Sequence, residues 1–140
     1  MEFHLVPLEG NESNTGLSSL LGVANKKTEK IMVHSIRMDK FLSDNNIEKV
    51  DFLKLDAEGV NFEVLEGFGN RLKDVNAIHV EAEHTYYYWK NKQFSDIERI
   101  LRNNEFEMVY FQRYTSQSDS FWIQKRFLKI NRKEPGGYSN

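Results

Sequence analysis

Asp51-Phe-Leu-Lys-Leu-Asp-Ala-Glu-Gly59 is a short apolar strand that runs into two carboxylates and a glycine. Between Val50 and Leu55 only Asp51 and Lys54 interrupt the apolar residues, which predicts a strand covered on both faces and hence a parallel sheet. Beyond Gly59, Val64, Leu65, Phe68 and Leu72 fall at i, i+1, i+4 and i+8, the stripe of a helix that packs on that sheet. Ala77-Ile-His-Val-Glu81 predicts a second core strand, and the three elements together make a right-handed βαβ unit. Ligands of open α/β sheets collect beyond the carboxyl ends of the strands, so Asp56 and Glu58 stand where chemistry is expected.

Working outward, residues 2–8 alternate in the manner of a strand, and the turn-forming run from Gly10 to Gly16 opens a long loop. Residues 31–38 predict another strand, bulged where the alternation slips at His34-Ser35. Asp39 is expected to cap a brief helix containing Phe41 and Leu42. Ser95-Asp-Ile-Glu98 has the form of a capping box for a helix that turns Ile97, Ile100 and Leu101 inward. Residues 108–114 and 120–126, joined by the turn-rich residues 115–119, predict an antiparallel hairpin in which Phe111, Tyr114, Phe121 and Trp122 pack across strands. The expected organisation is one α/β domain over residues 1–132 and a disordered tail over 133–140.

Composition narrows the function classes. A chain of 140 residues suits a single core, and 19 basic against 21 acidic residues give a net charge of -2, which favours neither nucleic acid nor an anionic membrane. The absence of cysteine excludes disulfides, thiolate nucleophiles and Cys-bound zinc, and fits a reducing, cytoplasmic compartment. No apolar run approaches the roughly 20 residues that span a bilayer, and the opening residues lack the pattern of an export signal. A soluble cytoplasmic protein is the expectation.

The series strand, helix, strand, helix, hairpin matches the second half of the Rossmann-like sheet of S-adenosylmethionine-dependent methyltransferases. The segment Asp51 to Gly59 followed by Glu63-Val-Leu-Glu-Gly67 resembles the strand-and-helix signature of the FkbM-type methyltransferase family, and Val80-Glu-Ala-Glu-His84 resembles its next strand end. Thr15-Gly-Leu-Ser-Ser-Leu20, residues 35–42 and Ser120-Phe-Trp-Ile-Gln-Lys125 fall in the order of the same family. The resemblance implies methyl transfer from S-adenosylmethionine to an oxygen or nitrogen of a small-molecule acceptor. It covers the carboxyl-terminal half of such an enzyme, and the half with the glycine-rich cofactor turn is expected to be missing. Gly67-Phe-Gly69 leads to Leu72 where a third glycine would be needed, and reads as a helix terminator. Cofactor-holding residues are therefore unassigned.

Moving a sulfonium methyl requires a placed acceptor and removal of its proton, and carboxylates and histidine do both. The catalytic candidates are Asp56, Glu58, Glu81, Glu83 and His84, at neighbouring strand ends roughly 5 Å apart. Glu81 and Glu83 are assigned to opposite faces of the strand, so that one of them enters a given cleft. The structural alternatives are capping of the following helix by Asp56 and Glu58, and a solvated strand end for Glu81, Glu83 and His84. A divalent cation on Asp56, Glu81 and His84 is a further alternative. Lys54 reads as an ion-paired or snorkelling residue. Tyr86, Tyr87 and Trp89 are candidate substrate contacts that stack on the acceptor, or else rings that cover the end of the core. His4, His34 and His79 read as structural. The competing function is a non-catalytic module that self-associates or takes a partner strand on its open sheet edge, unless the amino-terminal segment folds over that edge.

Overall fold

The computed structural model describes residues 1–5, 18–22, 27–85, 88 and 90–128. Strand β1 (Glu2–Leu5) pairs antiparallel with β2 (Glu29–Met32) in a ribbon of its own. Helix α1 (Met38–Asp44) then leads to β3 (Val50–Leu55). Helix α2 (Asn61–Gly67) and a 3-10 segment (Gly69–Asp74) carry the chain back to β4 (Val75–Glu83), which lies parallel to β3 with Leu55 beside Val80. Helix α3 (Phe94–Asn103) precedes the hairpin of β5 (Phe106–Arg113) and β6 (Gln117–Gln124), and α4 (Lys125–Leu128) follows. The sheet order is β3-β4-β6-β5, with β6 antiparallel to both of its neighbours. This is the mixed α/β arrangement of a partial Rossmann-like methyltransferase sheet.

Strand alternation decides which face is covered. Ile78, Val80 and Ala82 of β4 and Ser118, Ser120, Trp122 and Gln124 of β6 are buried at every second position, while the residues between them, His79, Glu81, Asp119, Phe121 and Ile123, are only partly so. The buried set meets Leu65 and Phe68 of α2 and Ile97 and Leu101 of α3 in one core. Each fully buried side chain of this size contributes about 1.5–3 kcal/mol of transfer free energy. The opposite face carries Phe52 and Phe121, whose rings stack at 5.5 Å, and His79, which stacks on Phe121 at 5.8 Å and meets Asp119 at 3.2 Å.

Several expectations shift. β3 is not covered on both faces: Asp51, Phe52 and Lys54 are exposed, and β3 has no partner on its outer side among the described residues. The amino-terminal ribbon does not pair with that edge. β2 stops at Met32, short of the predicted bulge. Helix α1 starts at Met38 with Arg37 at its cap position, and Asp39 lies in the first turn, ion-paired to Arg37 at 2.9 Å. The capping box falls two residues early, on Gln93 and Asp96. The hairpin turn is shorter than predicted because β6 begins at Gln117. Gly67 does close α2, and Gly69 takes the left-handed φ of 50° that ends the turn. Residues 6–17 and the predicted tail lie outside the described residues.

Candidate functional site

The parallel strands β3 and β4 end side by side, and the turn after β3 folds back over their carboxyl ends. Asp56, Glu58, Glu81 and Glu83 line one cleft there of about 340 Å³, together with Tyr88, Ser116 and Gln117. Glu81 and Glu83 thus share the cleft, against the expectation that only one enters it, since residues two apart in a strand point the same way. His84 is not part of the lining. It is one position out of phase, and its ring packs at 5.4 Å from Phe94 and 6.3 Å from Phe111, where burial and Arg113 lower its proton affinity. The proposed cation set of Asp56, Glu81 and His84 is therefore not assembled, and among the described residues no three His, Asp or Glu side chains are arranged to hold a metal ion.

Neither carboxylate of the turn caps α2, whose cap residue Val60 makes no side-chain bond. Asp56 instead takes the Lys54 ammonium at 2.7 Å, the ion pair expected of that lysine. Glu58 accepts the Tyr88 hydroxyl, and its carbonyl accepts the hydroxyl of Ser19. Asn61 is buried and joins the two strand ends: its Oδ1 accepts the Ala57 N–H at 2.9 Å while its Nδ2 donates to the Glu81 carbonyl at 2.9 Å. Asn61→Ala strands both backbone groups, at a cost of about 1–3 kcal/mol measurable by urea unfolding; an unchanged midpoint would refute the clamp.

Burial dominates the electrostatics, and like charges add to it. Burial, reinforced by Asp56, Glu58, Asp119 and Glu83, pushes Glu81 up to about 7. Burial also raises Glu58, opposed by the Tyr88 hydrogen bond, and raises Glu83, which is 7 % exposed. A carboxyl group that exchanges its proton near neutrality is suited to take a proton from a bound hydroxyl or ammonium.

Tyr86, Tyr87 and Trp89 lie outside the described residues. Tyr88, left out of the sequence candidates, is the aromatic of that run seen in the cleft wall. Asn61, Ser116 and Gln117 were missed as well. Of these only Asn61 had a readable signal, a short amide at the start of a helix just after a strand end.

A mixed sheet with acidic strand ends and a final antiparallel strand inserted inside the edge defines a methyltransferase-type α/β domain. The family model described as the methyltransferase FkbM domain matches residues 4–108, so the chain belongs to the FkbM methyltransferase family. No curated protein and no solved structure matches. The described residues do not fit the family's cofactor by the usual device: no glycine-rich turn follows a strand, and Gly67 and Gly69 terminate α2. No helix among them is long and apolar enough to cross a membrane.

Proposed function

We propose that this chain works in S-adenosylmethionine-dependent methyl transfer to an oxygen or nitrogen of a small acceptor, with the carboxylate cleft as the acceptor side. The observation that supports this is the convergence of Asp56, Glu58, Glu81 and Glu83 on one cleft at the ends of two parallel strands in a member of this family. Bound cofactor supplies an electrophilic methyl group. The protein's own part is to seat the acceptor against the carboxyl groups of Asp56 and Glu58 and to receive its proton on Glu81. The grip on the cofactor is assigned to no described residue. Isothermal titration with S-adenosylmethionine is expected to give a saturable isotherm in the micromolar range; no heat at millimolar cofactor would reduce the sheet to a scaffold.

The outer edge of β3 favours one addition. Its exposed Phe52 and its backbone groups, unpaired among the described residues, suit pairing with another strand, and a second copy of the chain is the proposed partner. Light scattering on the purified protein is expected to give the mass of a dimer, and a monomer mass at high concentration excludes it.

A further inference from the structure

We propose that Tyr88 is a positioning residue that fixes Glu58 at the mouth of the carboxylate cleft and thereby ties the segment after β4 to the turn after β3. The inference builds on the cleft as acceptor site.

Its basis is steric and polar at once. Tyr88 is 2 % exposed, and its hydroxyl donates to Glu58 Oε2. The ring lies directly on Gly59: a Cβ at that position would stand 2.6 Å from Tyr88 Cδ2 and 2.7 Å from Cγ. Glycine is required there twice over, since Gly59 also has a φ of 87°. Glu58 itself has a φ of 41°, a left-handed conformation that a glutamate keeps only where its surroundings hold it. Those surroundings are the Tyr88 hydroxyl on the side chain and the Ser19 hydroxyl on the carbonyl.

The consequence for the site follows from charge. Glu58 faces Asp56 from the end of β3 and Glu81 and Glu83 from β4, all acidic, while the nearby Lys54 ammonium is engaged by Asp56. Burial and Asp56 both push Glu58 toward its protonated form. A hydroxyl donor favours the carboxylate, so Tyr88 opposes that push and keeps Glu58 aimed while the proton-exchanging role falls to Glu81.

Carbon-13 NMR titration of the glutamate carboxyl groups tests this, with Glu58 assigned by the resonance that Glu58→Gln removes. In Tyr88→Phe, which keeps the ring on Gly59, the Glu58 midpoint is expected to rise by about one pH unit. The backbone amide shifts of α2 and β4 are expected to stay, which separates the effect from unfolding. In the unmodified protein, the Tyr88 Cζ resonance is expected to move with the same midpoint as Glu58, a readout that no variant's folding can spoil. An unshifted Glu58 midpoint in the folded variant, or a Cζ resonance indifferent to the Glu58 transition, overturns the proposal. Neither measurement uses cofactor or acceptor, so the result is independent of whether methyl transfer is found.

Discussion

Trp122→Ala is expected to lower the unfolding free energy by about 3–5 kcal/mol, a large part of the roughly 5–15 kcal/mol that holds a typical domain together. Trp122 is fully buried on β6, the strand inserted between β4 and β5, opposite Ile78 on one side and Met108 on the other. The Arg102 guanidinium of α3 lies 5.5 Å above its ring, and its Nε1 donates to the Ser120 hydroxyl at 2.9 Å. Truncation removes the largest side chain of the core, and a rigid sheet cannot collapse to fill the space. Urea unfolding checks the magnitude, and a loss under about 1 kcal/mol would mean that α3 is not seated on this ring. Because β6 also brings Gln117 to the cleft wall, the site depends on the same packing.

Glu81→Gln is expected to act in opposite directions on stability and on turnover. Burial and four neighbouring carboxylates raise Glu81 from 4.5 to about 7 in the folded chain, so the folded state binds a proton that the unfolded state has released between those values. Stability attributable to this group is therefore full below about pH 4.5, declines as pH rises, and is gone above about pH 7. The neutral amide escapes that loss. The variant is expected to be more stable than the parent at pH values above this window by about 1–2 kcal/mol, discounted for partial solvent screening, and to match it below the window. Thermal unfolding at two pH values checks this, and an equal effect at both would remove the raised proton affinity of Glu81 from the account. A site that destabilises its own fold in this way is the behaviour expected of groups arranged for proton transfer.

Much of this was legible in the chain because strand periodicity and family wording coincide at Asp51 to Gly59. The βαβ unit, the hairpin and the acidic strand ends follow from local pattern. What the pattern misplaced has physical causes. A continuous apolar run such as residues 50–55 does not distinguish a central strand from an edge strand, and Phe52 is exposed on a strand that is the sheet's edge among the described residues. Gln93 is an unusual cap, so the better-known Ser95 to Glu98 spacing masked it. Putting Glu81 and Glu83 on opposite faces contradicted the period of two that every strand obeys. The Tyr88 contact with Glu58 joins residues 30 apart, and its steric half depends on Gly59 lacking a side chain. Nothing local in the sequence announces such a contact, while His84, one step out of phase, looked equally eligible.

The most direct measurement is transfer of a labelled methyl group from S-adenosylmethionine to a mixture of small alcohols and amines, with the parent protein and Glu81→Gln compared across pH. Transfer by the parent that rises through a transition near neutrality, and falls by at least about 100-fold in the variant, is the predicted result. Transfer that survives undiminished in Glu81→Gln would contradict the assignment of this cleft as the place where the acceptor gives up its proton.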